Sequence, residues 1–271
     1  MKRFPFWSWL WILLGAVYLF LPLYGTLDFS LRLKRGVLSL AAYQNVFNDP
    51  KFLQTFLFSN EMAVLTIIAS LLLIVPTAYW IHLRLPGLRP VVEFLTLLPF
   101  VVPAIILVFG LIRVYGKTLH FAGLEIPALT NSSSGTNVLL VAGYVVLSLP
   151  YMYRAVDNGL RAIDVRTLTE AAQSLGASWP VIIKDVIFPN IRTALLSGAL
   201  LTFAIVVGEL TIAEFLSRPA FGPYLFIIGQ HKAYEPAALS LISFLLTWGA
   251  MGIIQLLTGG KPGQGQVVGA H

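Results

Sequence analysis

Apolar residues in this chain form long continuous runs separated by short polar segments. Six runs stand out, at about 8–27, 61–82, 93–114, 137–156, 193–215 and 237–257. Each is near the length that a helix needs to cross a hydrocarbon core of roughly 30 Å. The runs are continuous rather than alternating, which favours helices over a β-barrel. The pattern predicts an all-α polytopic membrane protein of about six transmembrane helices.

The composition supports the same class. Hydrophobic residues make up 57% of the chain and charged residues 11%, with a mean hydropathy of +0.81. Soluble domains carry roughly 25% charged residues, so a soluble fold is excluded. The net charge of +6 is scattered over the loops without a basic cluster, which indicates contact with anionic lipid rather than nucleic acid.

The polar segments suggest a division of the chain. The first apolar run is too long for a secretory signal and lacks a small-residue cleavage site after it, so we expect a retained anchor. Asn48, Asp49 and Pro50 interrupt the next segment, which predicts a short interfacial helix and a turn. We expect an N-terminal transmembrane helix with an external amphipathic segment over 1–57 and a transmembrane core over 58–258. The core contains a long polar loop at 157–190, and a flexible tail follows at 259–271.

The chain lacks the usual signatures of catalysis. It has no Cys, and its four His residues fall in different loops or the tail. No Gly-rich phosphate-binding motif appears, nor any Ser, His and Asp set at recognisable spacing. We therefore predict no catalytic residue, metal or cofactor on this chain, and any ATP hydrolysis would need another subunit.

The polar loop carries a helical pattern. Thr167 and Glu170 fit a capping box, which predicts a helix that begins near Leu168. Gly176 can supply the left-handed turn that ends this helix, and Ser178 can cap a second one. Four apolar residues recur at helical spacing and predict one continuous stripe: Leu168, Ala171, Ala172 and Leu175.

The order of residues in this loop has a known counterpart. Glu170-Ala171-Ala172, then Gly176, then Val186 and Phe188-Pro189 resembles the cytoplasmic coupling loop of permease subunits in type I binding-protein-dependent ABC importers. Val186 stands where that family usually has Ile, and Phe188 where it has Leu. The resemblance covers about residues 55–257. It is to the group that handles polyamines, ferric iron, phosphonates and thiamine.

The resemblance implies a multi-subunit transporter. Two permease subunits, identical or different, would enclose one pathway above two ATP-binding subunits that hold ATP and Mg, while an external binding protein delivers the solute. Both termini would lie in the cytoplasm of a bacterium, with the chain in its inner membrane. The residues that would dock on the ATP-binding subunit are Glu170, Ala171, Ala172, Leu175 and Gly176. The alternative is that Glu170 only caps a helix and the stripe packs against the spans.

Acidic residues in the fifth run suggest a solute pathway. An ionisable side chain in hydrocarbon is costly unless it faces a pathway or a partner. Glu209 is the deeper of two candidates and could attract a cationic solute; a structural hydrogen bond or snorkelling to the interface is the alternative. The predicted pathway residues are Glu209, Thr202, Phe203, Thr211 and Glu214.

Together these patterns predict the permease subunit of an ATP-driven importer. A polyamine is the favoured solute, and iron, a phosphonate or thiamine are alternatives. A self-sufficient secondary carrier or channel remains the alternative function, although no inverted repeat is evident. An intramembrane enzyme would need paired acids or a nucleophile within the spans, and the sequence shows neither.

Overall fold

The computed structural model describes residues 6–34, 36–121 and 124–257. Over these residues the chain is built almost entirely of helices, with one short antiparallel hairpin. The helices and strands are α1 Phe6–Ser30, α2 Ala41–Phe47, α3 Pro50–Arg84, α4 Arg89–Val101, α5 Ala104–Tyr115, β1 Leu119–Phe121, β2 Leu124–Ile126, α6 Ser133–Arg161, α7 Val165–Ser174, α8 Trp179–Val181, α9 Phe188–Asn190, α10 Arg192–Val207, α11 Thr211–Phe215, α12 Phe221–His231 and α13 Tyr234–Leu257. A π-helical turn, Ile182–Ile187, joins α8 to α9.

The predicted all-α membrane class is confirmed. In the described residues, three helices are long and apolar enough to cross a membrane alone: Trp9–Ser30, Pro50–Arg84 and Ser133–Arg161. The number rises to five if each of two bent helix pairs forms one span. The sixth predicted run, 237–257, lies within the continuous helix α13.

The third and fifth predicted runs are each broken in the structure. The third is divided between α4 and α5, which meet at 100°. Pro103 lacks an N–H group and disfavours helical geometry at Val102, which is extended with ψ 112°. The fifth is preceded by the helical segment Trp179–Asn190, which meets α10 at 82°, and α10 itself ends at Val207. The later part of the predicted run therefore belongs to the short helix α11.

Three helices form the centre of the bundle, because α3, α6 and α10 pack against one another. Small residues allow a close approach of α6 and α10. A Cβ atom added at Gly159 would lie 2.7 Å from Ala194 Cβ, and one at Gly198 would lie 3.0 Å from Ala155 Cβ. Small residues at helix crossings are typical of membrane bundles, where van der Waals contact drives association.

The predicted division of the N-terminal segment from the core at residues 57/58 falls within a helix, and the division itself stays a prediction. Helix α3 continues without interruption through this position, so the structure has no break there. The expected short helix and turn are present, as α2 and the turn at Asn48–Asp49. The N-terminal helix α1 packs against α13, where the rings of Phe29 and Tyr234 stack at 4.8 Å. The predicted tail, 259–271, lies outside the described residues.

Candidate functional site: the polar loop and its contacts with the bundle

Helix α7 begins at Val165, three residues before the predicted start. Asp164 is its N-cap: Oδ1 accepts from the Thr167 backbone N–H at 3.1 Å, and Oδ2 accepts from the Thr167 hydroxyl at 2.7 Å. These hydrogen bonds lower the pKa of Asp164 below its usual value, the backbone bond most strongly. The predicted capping box is therefore wrong, because Asp164 takes the capping role that was given to Thr167.

Glu170 consequently has no capping role. Its carboxylate accepts a hydrogen bond from Arg166 Nε at 2.8 Å, one helical turn earlier. Both side chains are exposed, so this ion pair is screened by solvent. The reading of Glu170 as only a helix cap is thereby excluded, and its carboxylate is available on the surface of α7.

One face of α7 is fixed to the bundle. The Thr169 hydroxyl donates to the Val165 carbonyl at 2.6 Å, so it accepts the hydrogen bond from the Tyr79 hydroxyl at 2.8 Å. All three oxygen atoms of this connection lie in a buried region between α7 and α3. Beside it, the rings of Trp80 and Trp179 lie 4.8 Å apart. The hydrogen bond thus holds α7 against α3, and the aromatic contact holds the following helix α8 against the same helix.

The predicted apolar stripe does not form one face. Ala172 is buried against the bundle with 8% of its surface exposed, and Leu168 is half-buried. Ala171 lies on the exposed side, and Leu175 is 89% exposed. The structure therefore places Ala172 against this chain, whereas Glu170, Ala171, Leu175 and Gly176 are open to a partner. The coupling role of these residues stays a prediction.

Gly176 adopts the left-handed conformation that the sequence predicted. Its φ is +79°, and the Ala177 N–H donates to the Ala172 carbonyl at 3.1 Å, which closes the end of α7. A Cβ at this position would meet nothing within 4 Å, so only the backbone angle demands glycine. The second helix does begin after Ser178, but the Ser178 side chain makes no capping hydrogen bond.

A groove runs beside the exposed face of α7. Its volume is about 350 Å³, and its walls come from α7, the end of α3 and the start of α8. Arg84, Arg166 and Gln173 supply polar groups along its length, and Trp179 supplies an apolar surface. The groove could accept a protein segment that offers both a carboxylate and an apolar side chain.

An ionic cluster close to α7 was missed by the sequence prediction. Asp157, near the end of α6, has a side chain only 5% exposed. It contacts His82 Nε2 at 2.7 Å, Arg89 at 3.0 Å and Arg161 at 2.8 Å. Glu93 contacts Arg161 at 2.8 Å and Arg89 at 3.1 Å. We call these five residues the Asp157 cluster.

The cluster was missed because the predicted fourth span stopped at residue 156, which assigned Asp157 to a solvated loop. One signal was present in the sequence. Asp157 and Arg161 are four residues apart and face the same side of a helix. The partners His82, Arg89 and Glu93 come from other elements, and no local pattern indicates their proximity.

Glu209 binds the backbone of its own chain. It lies in the break between α10 and α11, where its carboxylate accepts from the N–H groups of Thr211 at 2.7 Å and Ile212 at 2.9 Å. Gly222 packs directly on this segment, since a Cβ there would lie 2.4 Å from the Glu209 carbonyl oxygen. The geometry accounts for Glu209 as the cap of α11. Its role in solute passage stays a prediction.

The other predicted pathway residues differ in exposure. Thr202 and Phe203 are buried within the bundle. Glu214 is exposed and lines a separate cavity of about 410 Å³ at the end of the bundle opposite α7. Asp49 and Lys51 line the same cavity, and the Tyr224 hydroxyl donates to Asp49 at 2.9 Å. Glu214 is thus the predicted acidic residue with the most accessible carboxylate.

Comparison with known proteins identifies the family. Residues 86–259 match the family described as binding-protein-dependent transport system inner membrane component. The chain belongs to this family. The matched residues include the whole of α7 and, outside α7, Arg89, Glu93 and Arg161 of the Asp157 cluster. The match confirms the resemblance seen in the loop sequence.

Several named permease proteins are similar in sequence to this inner-membrane component. The spermidine/putrescine permease protein PotB of Haemophilus influenzae is 28% identical over 197 residues, 71% of this chain and 67% of that protein. PotB of Escherichia coli K12 is 26% identical over 62% of each chain. The putrescine permease protein PotI of E. coli K12 is 29% identical over 59% of this chain and 54% of its own length. The matched regions thus span 54% to 67% of these relatives.

Solved structures share the fold of this inner-membrane component. A bacterial ABC transporter involved in the import of the acidic polysaccharide alginate aligns with a TM-score of 0.68 and 14% identity, over 93% of this chain and 95% of the other. An amino acid ABC transporter aligns with a TM-score of 0.51 and 19% identity, over 79% and 96%. At these identities the likeness establishes the fold alone.

Proposed function

We propose that this chain forms the solute pathway of an ATP-driven polyamine importer and receives its driving force through α7. One observation carries the proposal. Within the family-matched region, α7 is held to the bundle by Tyr79 and Ala172 on one face and presents Glu170, Leu175 and Gly176 on the other. A short helix anchored on one side and open on the other is suited to transmitting movement from a partner.

ATP hydrolysis belongs to the partner in this proposal. Two ATP-binding subunits, which hold ATP and Mg, bind α7 and its counterpart on a second permease subunit. Their approach displaces α7 and tilts the spans between inward-facing and outward-facing states. Nucleotide can shift this equilibrium only if α7 binds the ATP-binding subunit differently in the two states.

The arrangement in the membrane follows from the position of α7. If α7 faces the cytoplasm, both termini lie there too, and the cavity beside Glu214 opens to the outside. An external binding protein then delivers the solute to that side, in agreement with the description of the family. The second permease subunit is either a copy of this chain or a related one.

A polyamine is the favoured solute for two reasons. PotB and PotI carry spermidine or putrescine in their names. In this chain, the outer cavity offers two carboxylates to a protonated amine, those of Glu214 and Asp49, although Lys51 and Arg218 line the same cavity and balance their charge. Iron, a phosphonate and thiamine remain the alternatives to test.

The decisive experiment begins with gentle solubilisation from the native membrane and identification of the proteins that accompany the chain. The complex is then reconstituted in vesicles and supplied with spermidine, the binding protein and ATP. We expect an ATP-binding subunit in the complex and ATP-dependent uptake. Uptake by the chain alone, without a nucleotide, would instead establish a self-sufficient carrier.

Glu170→Ala tests the docking face within the same assay. The substitution removes an exposed ion pair and should leave the folded bundle intact, but it should weaken binding of the ATP-binding subunit and reduce uptake. Asp28→Ala is the matched control, since it also removes an i,i+4 ion pair, with Arg32, but at the end of α1 and away from α7. Equal uptake by both variants and the parent would contradict a docking role for Glu170.

A further inference from the structure

The Asp157 cluster joins three elements at the end of the bundle that carries α7. His82 belongs to the last turn of α3, Arg89 and Glu93 to the first turns of α4, and Asp157 and Arg161 to the end of α6. Only Ala162 and Ile163 separate Arg161 from Asp164, the N-cap of α7. The cluster therefore lies at the junction where α6 leads into the exposed helix.

The charges in the cluster are closely matched. Asp157 and Glu93 supply two carboxylates, and Arg89 and Arg161 supply two guanidinium groups that contact them. His82 adds a ring nitrogen to one carboxylate oxygen. Asp157 and His82 are largely buried, whereas Arg161 and Glu93 are about half-exposed, so removal of the Asp157 carboxylate leaves the buried part of the cluster without its central partner. The cluster is thus stable only while α3, α4 and α6 keep their relative positions.

Two separate connections therefore lead from α7 into the bundle. The Tyr79–Thr169 hydrogen bond connects α7 directly to α3. The Asp157 cluster connects α6 to both α3 and α4. Helix α6 in turn leads into α7 through residues 162–164. Helix α4 is also the first half of the bent pair α4–α5, so a movement of its first turn would be carried to the break at Val102–Pro103.

We propose that Asp157 is a positioning residue that makes α3, α4 and α6 respond as one unit when α7 is displaced. The proposal rests on the proposed function, because it assumes that a partner moves α7. Without the Asp157 carboxylate, α7 would still bind its partner, but the displacement would no longer be transferred in full to α4. ATP hydrolysis would then continue with little solute movement.

The test is the ratio of spermidine transported to ATP hydrolysed by the reconstituted complex. Asp157→Asn keeps the shape of the side chain and removes its charge. We expect this ratio to fall by about fivefold or more while ATP hydrolysis per complex stays within about twofold of the parent. A parental ratio in Asp157→Asn would overturn the proposal.

Glu235→Gln is the matched control. Glu235 is also a buried carboxylate, held by Asn45 at 3.1 Å and Lys232 at 3.6 Å, but it lies at the opposite end of the bundle. We expect it to leave the ratio unchanged. A similar fall in the ratio for both variants would show a general effect of losing a buried carboxylate and would overturn the proposal.

A double variant separates positioning from stability. Asp157→Asn with Arg89→Gln removes one charge of each sign, so it should restore the amount of assembled complex if the single variant is poorly folded. It does not restore the Asp157–Arg89 contact between α6 and α4, and within the cluster only the more exposed Arg161–Glu93 pair still joins these helices. We expect the ratio to remain low. A parental ratio in the double variant would contradict positioning. Failure of the parent complex to couple ATP to uptake would instead contradict the proposed function, before any variant is compared.

Discussion

The hydroxyl of Tyr79 donates a hydrogen bond of 2.8 Å to Thr169 Oγ1, across the buried boundary between α3 and α7. The two residues are ninety positions apart in sequence. The bond joins a long transmembrane helix to the short helix that carries the exposed face. A partner that displaces α7 would therefore pull directly on α3 through this bond.

Tyr79→Phe should weaken this connection without creating a cavity. Loss of a buried hydrogen bond costs about 1 kcal/mol, which corresponds to about a fivefold change in an equilibrium constant. We expect ATP-dependent uptake to fall by a similar factor at normal protein abundance. Thr169→Val should give the same loss, and the double variant should add little to either single one.

Tyr43→Phe provides the control for that measurement. The Tyr43 hydroxyl lies 2.7 Å from Ser30 Oγ in a part-buried hydroxyl–hydroxyl contact away from α7. Its loss should lower stability by a similar amount and leave the ratio of uptake to ATP hydrolysis unchanged. A change in that ratio equal to the change in Tyr79→Phe would argue against a special role for the contact with α7.

Gly176 offers a test of backbone geometry alone. Because a side chain would meet nothing within 4 Å, Gly176→Val should disturb α7 only through the φ of +79°. A β-branched residue is strained there by about 1–2 kcal/mol, whereas Asn tolerates this conformation. We expect uptake to fall in Gly176→Val and to be largely kept in Gly176→Asn. Equal uptake in the two variants would mean that the left-handed turn is not needed.

Glu209 and Glu214 should respond differently to loss of charge. Glu209→Gln retains one oxygen for the start of α11, so we expect a modest loss of abundance with an unchanged KM for spermidine. Glu214→Gln removes a carboxylate from the outer cavity, and we expect KM to rise by about threefold. Uptake at several spermidine concentrations distinguishes the two. A higher KM in Glu209→Gln, with an unchanged KM in Glu214→Gln, would instead support a role for Glu209 in the solute pathway.

The crossing of α6 and α10 should tolerate little added volume. Gly159→Ala places a methyl group 2.7 Å from Ala194 Cβ and 3.1 Å from Ile191 Cβ, where no flexible side chain can move away. Overpacking of this kind costs about 1–3 kcal/mol, so the thermal unfolding midpoint in detergent should fall. Gly229→Ala, which lies in α12 and meets nothing within 4 Å, gains helix propensity without a clash and should not lower the midpoint.

Much of the fold could be predicted from local patterns. The apolar runs predicted the long helices α3, α6 and α13, because burial in hydrocarbon depends on length and composition alone. The order of Glu170, Ala171, Ala172 and Gly176 indicated the exposed helix and its family. The left-handed turn at Gly176 was also predictable, since the residue type and its place after a helical pattern suffice.

The sequence by itself thus determined the membrane class, the family and the place of the exposed helix. The tertiary structure decided which side of that helix is free, because Ala172 is buried by residues far away in the chain. It also decided that Asp157 is enclosed by His82 and Arg89, and that Glu209 turns back to its own backbone. Such pairings depend on how the helices pack against one another. The hydropathy pattern along the chain does not specify which residues of different helices come into contact.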